Sequence, residues 1–264
     1  MEIDRYYNEN CLDTMKRMQD NFIDFILTSP PYDNLREYNG FTFDFENIAK
    51  ELFRILKNGG IMVWVVGDAV IDGSETGTSF KQALKFMEIG FKLHDTMIFE
   101  KNSSAFPASP NSKRYTQIFE YMFVLVKGKI RDDIHLLADK PNKYAGWVNW
   151  GKLTSYNKEG HIKNKKEKIN EVPEYSLRNN IWRYVTGMDK DTEHHPAVFP
   201  DKLAEDHILS WSNQGDLVYD PFLGSGTTAK MAIANKRHWI GSEISSEYCK
   251  IIDNRIKSIQ INLF

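Results

Sequence analysis

The chain has very little cysteine: Cys11 and Cys249 are the two in 264 residues. They form neither a disulfide framework nor a metal-ligand spacing, so no metal site is expected, and two isolated thiols fit a reducing compartment. The opening Met1-Glu2-Ile3-Asp4-Arg5 lacks the basic and apolar blocks of a signal peptide. No apolar run approaches the roughly 20 residues of a membrane-spanning helix. The expectation is a soluble, cytoplasmic protein. Excess charge is also missing, with 34 Lys and Arg against 36 Asp and Glu for a net of −2. Global charge therefore gives no reason to expect a polyanionic partner, and only a local patch could attract one. What remains is ordinary globular composition, 41% hydrophobic and 27% charged, in a chain long enough for one large or two small domains.

Along the chain, short β-prone runs alternate with helical periodicity. Residues 5–8 read as a strand, and Asn10 caps a helix over 12–20. A buried strand spans 22–27. Phe45 to Leu56 reads as a helix stopped by Lys57-Asn58-Gly59-Gly60, and Ile61 to Val66 as an interior parallel strand. A helix over 79–90 and strands at 92–99 and 118–126 follow. After an irregular stretch come a helix from Asp201 to Ser212, a strand at 217–219, a helix from Ala229 to Asn235 and a strand at 239–241. Such alternation predicts an α/β fold with an open, mostly parallel sheet.

Two short stretches carry chemistry. Thr28-Ser29-Pro30-Pro31-Tyr32 closes the strand at 22–27. Each proline fixes φ and lacks an N–H, so the stretch forms a stiff loop that presents a hydroxyl, outward carbonyls and an aromatic ring. That wall suits a planar amino-heterocycle; a plain Pro-Pro turn with a surface tyrosine is the alternative. The second stretch, Asp220-Pro221-Phe222-Leu223-Gly224-Ser225-Gly226-Thr227-Thr228, runs from a strand through a glycine loop into a helix. Glycines permit close backbone approach, and the helix N-terminus favours a carboxylate or phosphate. Glu243 follows Asp220 by 23 residues, the spacing at which an acidic residue meets ribose hydroxyls in nucleotide-binding βαβ units. The loop has no third glycine and no phosphate-binding lysine, so a nucleoside with an amino-acid tail fits better than a pyrophosphate.

Between 127 and 190 the alternation dissolves. This stretch holds 14 Lys and Arg against 8 Asp and Glu, a local net of +6 that leaves about −8 for the remainder. Tyr144, Trp147, Trp150, Tyr156, Tyr175, Trp182 and Tyr184 interleave the charge, a composition expected of a segment that contacts phosphates and bases. The plainer reading is a solvated insertion whose Lys163, Lys165, Lys166 and Lys168 are a wet charge run. DNA contact is preferred because the insertion interrupts a domain that resumes afterwards. The expected division is 1–127 with 192–264 as one domain, and 128–191 as an insertion.

Together the two motifs resemble those of the DNA amino-methyltransferases. These enzymes use S-adenosylmethionine to methylate exocyclic amines of bases. Their catalytic motif, (Asp/Asn/Ser)-Pro-Pro-(Tyr/Phe), is matched by Ser29, Pro30, Pro31 and Tyr32, and their Phe-x-Gly-x-Gly motif by Phe222 to Gly226. The order, catalytic motif first and cofactor loop last, looks like the β group of the family. That implies a Rossmann-like methyltransferase fold in circularly permuted arrangement. The resemblance implies that Thr28, Asp220, Phe222, Gly224, Ser225, Gly226, Thr227 and Thr228 surround the methionine end of the cofactor. Glu243 would hold the ribose and Ile244 would pack on the adenine. His195, Phe199 and Pro200 match the segment that packs on the methionyl part. Asn10 and Cys11 stand where many members have Gly-Asp-Cys, and Asn10 would bond the adenine amine. Lys101 and Glu120 are read as structural at least as readily as functional. The implied partner is double-stranded DNA, with room for a homodimer and for a cognate restriction endonuclease.

The implied reaction is direct methyl transfer to an amine of a flipped base. Neither cysteine stands beside a proline in a nucleophile loop, which argues against methylation at C5 of cytosine. Serine at the head of the catalytic motif favours N4 of cytosine, with N6 of adenine as the alternative. Remoter alternatives are an RNA or protein-glutamine methyltransferase and a DNA-binding module without turnover.

Overall fold

The computed structural model describes residues 1–31, 43–103, 108–109, 111, 113–148, 153–165, 171–186 and 200–262. In chain order the elements are β1 (Arg5–Tyr7), α1 (Cys11–Lys16), β2 (Ile23–Thr28), α2 (Phe45–Ile55), β3 (Leu56–Val66), β4 (Val70–Ile71), β5 (Ser74–Glu75), α3 (Thr78–Ile89), β6 (Phe91–Lys101) and β7 (Phe119–Lys127). They continue with β8 (Lys140–Pro141), β9 (Leu153–Tyr156), β10 (Ile162–Lys165), β11 (Tyr175–Ser176), β12 (Ile181–Tyr184), α4 (Asp201–Trp211), β13 (Leu217–Asp220), α5 (Thr227–Ala234), β14 (His238–Ser242) and α6 (Ser246–Asn262). Among the described residues, no helix is long and apolar enough to cross a membrane.

Two compact units result, Met1–His135 with Asn180–Phe264, and Leu136–Asn179. In the first, eight strands form one sheet in the order β1-β14-β13-β2-β3-β7-β6-β12. β7 runs antiparallel to both its neighbours and every other adjacent pair is parallel. The α/β expectation therefore holds, and the arrangement is that of a Rossmann-like methyltransferase fold. From β2 the chain crosses through α2 to β3 on one side; from β13 it crosses through α5 to β14 on the other. Right-handed crossovers in opposite directions put α2 and α5 on opposite faces of the sheet. The strand order reverses between β2 and β13, and such a switch point opens a crevice at the carboxyl ends of the strands.

The core explains the register. Ile23, Phe25, Ile26 and Leu27 of β2 and Ile61 to Val65 of β3 are fully buried, as central strands covered on both faces require. Trp64 anchors one layer. Its indole N–H donates to Gln82 Oε1 at 2.8 Å, and its ring meets Phe45, Phe86 and Phe222 in tilted or edge-on contacts. Arg54 at the end of α2 donates to the carbonyls of Met15 (2.7 Å) and Met18 (2.8 Å), satisfying acceptors at the end of α1.

Three expectations need correction. The glycines at 59 and 60 do not stop α2, which ends at Ile55 with Leu56 already extended. They lie inside β3, where the register against β2 jumps from Ile23–Leu56 to Phe25–Ile61 and Gly59 sits at φ +83°. A side chain at Gly60 would stand 2.9 Å from the Lys57 carbonyl, so the bulge demands glycine. The second correction concerns the inserted segment. Asn180 to Tyr184 return to the large sheet, because β12 pairs with β6, so the separate unit is narrower than 128–191. Third, the helix expected over 12–20 is one short piece, Cys11–Lys16, whose predicted cap is present: Asn10 Oδ1 accepts from the Leu12 N–H at 2.9 Å.

The unit Leu136–Asn179 is built from two antiparallel pairs, β8 with β11 and β9 with β10. Asn157 closes the β9–β10 turn, its side-chain oxygen accepting the N–H groups of Glu159 (3.1 Å) and His161 (2.8 Å). Arg178 pairs with Asp139 alongside β8 and β11.

Candidate active site

β1, β14, β13, β2 and β3 all end on the same edge of the sheet, and the two motifs leave from neighbouring strands there. β2 ends at Thr28 and β13 at Asp220, and the strands pair directly through Phe25–Val218 and Ile26–Tyr219. Asp220 is 2% exposed. One of its oxygens accepts the Thr28 hydroxyl at 2.6 Å and the Phe222 N–H at 3.0 Å, and the other accepts the Thr228 hydroxyl at 2.7 Å. A single carboxylate thus joins the residue before Ser29 to both ends of the glycine loop. Burial pushes its pKa up to about 6 against the opposing effect of these donors. Ser29 is half-buried and Pro30 buried at the mouth of β2.

Glycine is required in the loop at particular places. Gly226 has φ +85°, and a side chain there would also press on Ile252 of α6 at 3.2 Å. Gly241, under the loop in β14, would put a Cβ 2.4 Å from Leu223. Phe222 packs edge-on against Phe43 and Trp64, so its ring fastens the loop to the core. Gly226 is the N-cap of α5 and offers no side-chain acceptor, which leaves the first N–H groups of that helix without a side-chain cap.

Glu243 follows β14 and is 7% exposed. Its oxygens accept the N–H groups of Gly224 (2.8 Å) and Ser245 (2.7 Å), and burial raises its pKa to about 7. A carboxylate can accept about four hydrogen bonds. Two backbone donors and a raised pKa describe a buried acceptor that further hydroxyl donors would stabilise. Together with the uncapped start of α5, this donor and acceptor set fits an adenosine ribose at one end and a methionyl carboxylate at the other.

The N-terminal side of the site is stitched to the same edge. The Glu243 N–H donates to the Tyr7 carbonyl at 3.1 Å, and the Asn8 amide donates to the carbonyls of Glu243 (2.8 Å) and Ile244 (3.2 Å). This brings Asn10 and Cys11 into the region that follows Glu243. The Asn10 oxygen already serves as a helix cap, and Cys11 packs in the core with its thiol pushed up to about 12 by burial. Burial likewise raises the Cys249 thiol to about 11. Neither sulfur is a thiolate at neutral pH.

Other predicted positions fare differently. Ser225 and Thr227 are buried, and both hydroxyls accept hydrogen bonds from Arg255 (each 2.9 Å), which the sequence reading did not single out. No part of α6 was anticipated. Its signal is the spacing of Cys249, Ile252 and Arg255, but an arginine on the buried stripe disguises the periodicity. Pro200 caps α4, whereas Tyr32, His195, Phe199, Lys166 and Lys168 lie outside the described residues. Lys163 and Lys165 are on β10. Lys101 and Glu120 pair with each other across β6 and β7. Trp182 and Tyr184, counted among the base-reading aromatics, are instead buried in the large sheet. The Trp182 ring lies 4.6 Å from that of His207, and the Tyr184 hydroxyl donates to Asp206 at 2.7 Å. Tyr144, Trp147 and Tyr175 of the smaller unit are exposed.

The family model described as DNA methylase, covering the N6 and N4 methyltransferases, matches residues 23–254. The chain belongs to this family. It is 56% identical over 243 residues to the orphan methyltransferase M.BamHII of Bacillus amyloliquefaciens, covering 89% of each chain. Among solved structures it resembles PvuII DNA methyltransferase (cytosine-N4-specific) with TM-score 0.70 and 20% identity, over 96% of this chain and 88% of the other. It also resembles the M1.HpyAVI–SAM complex with TM-score 0.59 and 23% identity, over 95% and 98%. The protein is a DNA methyltransferase of the amino-methylating class.

Proposed function

We propose that the chain methylates the exocyclic N4 amine of cytosine, taken out of the duplex into the cleft between Ser29 and the glycine loop. The observation that carries this reading is the Thr28–Asp220 hydrogen bond, which ties the strand end bearing Ser29 to the loop 222–228. When bound, S-adenosylmethionine supplies an electrophilic methyl group on its sulfonium. Glu243 accepts the ribose hydroxyls, and the start of α5 receives the methionyl carboxylate.

An exocyclic amine is a poor nucleophile because its lone pair is delocalised into the ring. The Ser29 hydroxyl and the Pro30 carbonyl accept its two hydrogens and favour a pyramidal nitrogen whose lone pair is free to attack. Ser29 orients and polarises; it is too weak a base to hold the proton, which leaves after transfer. Alignment of two reactants is the main source of rate and can contribute on the order of 7–11 kcal/mol. A stacked base cannot reach this crevice, so the base is flipped, with Tyr32 as its stacking surface. Tyr144, Trp147 and Tyr175, with the lysines at 163, 165, 166 and 168, contact DNA. The reducing cytoplasm, where DNA is accessible and free thiols persist, is the compartment this implies.

Serine at position 29 supports cytosine over adenine, since within the family serine at the head of this motif accompanies N4-cytosine activity more often. The test is to incubate the protein with S-adenosylmethionine and unmodified DNA, digest the DNA to nucleosides and weigh the product. N4-methylcytidine as the deoxynucleoside is expected. N6-methyladenine would overturn the base assignment and leave the cleft reading in place.

A further inference from the structure

Arg255 is the least exposed cation of the described chain at 3%, and its place in α6 puts it directly behind the glycine loop. One terminal nitrogen donates to the Ser225 carbonyl (3.0 Å), the Ser225 hydroxyl (2.9 Å) and the Thr227 hydroxyl (2.9 Å). The other donates to Asp201 at 2.7 Å, at the first turn of α4. The second oxygen of Asp201 is taken by Lys230 of α5. Arg255 Nε is buried without a hydrogen-bond partner.

Charge and geometry give this cluster a direction. On the α6 side of the loop two cations, Arg255 and Lys230, share the single carboxylate of Asp201, while the carboxylates of Asp220 and Glu243 hold Phe222, Thr228 and Gly224 from the strand side. An unpaired buried donor is costly, and a guanidinium is not placed there for stability alone when an apolar side chain could fill the space. The fork also fixes three atoms of the loop at once, which a point charge on a flexible stem cannot do. It holds the Ser225 carbonyl and the Ser225 and Thr227 hydroxyls back towards α6, away from the start of α5. The N–H groups at that start are then left as the loop's open donors.

We propose that Arg255 is a positioning residue for the amino-acid end of the cofactor. It orients the N–H groups of the loop and supplies the positive field that favours the methionyl carboxylate, without touching it. This rests on the cofactor occupying the glycine loop as described above. Asp201 orients the guanidinium and links the loop to α4.

The test compares two ligands that share adenosine, one with the amino-acid tail (S-adenosylhomocysteine) and one without it (5′-methylthioadenosine). Calorimetric titration of the full chain should show R255M losing about tenfold or more in affinity for the first. Loss for the second should stay under about twofold. R255K, keeping the charge but not the fork, should fall between. Equal losses for both ligands, or none, would overturn the inference and mark Arg255 as a packing residue. If R255M does not fold, R255K and D201N carry the same comparison, and an unchanged ratio between the ligands overturns it. E243A separates the two levels of argument. It should weaken both ligands alike; if it weakens neither, the placement of the cofactor fails and this inference with it. If E243A weakens both and the Arg255 variants discriminate between neither, this inference fails alone.

Discussion

The carboxyl edge of the large sheet and the unit Leu136–Asn179 are opposite kinds of structure. At the edge, Thr28, Asp220, Thr228 and Glu243 are all buried, and their polar atoms are bonded to one another or to backbone. In the smaller unit, Tyr144, Trp147 and Tyr175 are exposed, and the ordering comes from two short strand pairs and one Asn-closed turn. A site that must hold two reactants in line needs a rigid frame, because a small misplacement costs a large factor in rate. A surface that reads nucleic acid can be mostly solvated charge and aromatic faces, since phosphate contacts draw much of their strength from counterion release. Substitutions should therefore be severe at the edge and mild in the smaller unit.

The severest case should be D220A. It strands two hydroxyls and one N–H in a buried place, at about 1–3 kcal/mol for each group left unsatisfied. We expect a loss of about 3 kcal/mol in urea unfolding and turnover reduced by at least about 100-fold at saturating cofactor. A variant as stable and active as the parent would erase the contrast between the regions. Next comes G241A, where a Cβ would press into Leu223. Overpacking of this kind costs about 1–3 kcal/mol, and L223A in the same background should recover part of it. If the double variant is no better than the product of the singles, the contact is not the cause.

Glu243 sharpens the comparison through pH. Its carboxyl titrates near 7 because of burial, and the charged form is the better acceptor for ribose hydroxyls. Cofactor binding should then favour ionisation, release a proton below pH 7 and strengthen as pH rises. Between pH 8 and pH 6 the affinity for S-adenosylhomocysteine should fall about tenfold, as a single group near 7 dictates. E243Q should flatten this profile, and an unchanged slope would assign the titration elsewhere. For stability the sign is reversed. A carboxyl whose pKa is higher folded than unfolded stabilises the fold below its unfolded value, and that contribution fades as pH climbs to about 7.

The smallest effect on the fold should come from replacing Lys163, Lys165, Lys166 and Lys168 together with glutamine. Unfolding free energy should stay within about 0.5 kcal/mol. DNA affinity should weaken, with the salt slope reduced by up to about 3–4. An unaltered slope would make this run a bystander.

Much of the edge was legible in the chain because its chemistry is local. A proline pair after an apolar run, a glycine loop opening a helix, and an acidic residue 23 positions beyond Asp220 each mark a backbone requirement that few residue types meet. The alternation of strand and helix carried the fold class for the same reason. Where the reading failed, the deciding contact was distant. Gly59 and Gly60 look like a helix stop, but strand pairing with β2 places them in a bulge. Trp182 and Tyr184 look like nucleic-acid readers among basic residues, and the open edge of β6 draws them into the core.

By itself the sequence determined the two motifs, their order and the sheet they sit on, since these follow from periodicity and from what proline and glycine allow. The tertiary structure alone decided which polar groups meet. That Asp220 reaches Thr28 across 192 positions, and that Arg255 reaches Ser225 across 30, depends on the pairing of β13 with β2 and on how α6 packs. No local preference encodes those distances, because burial makes such partners necessary only once the chain has brought them together.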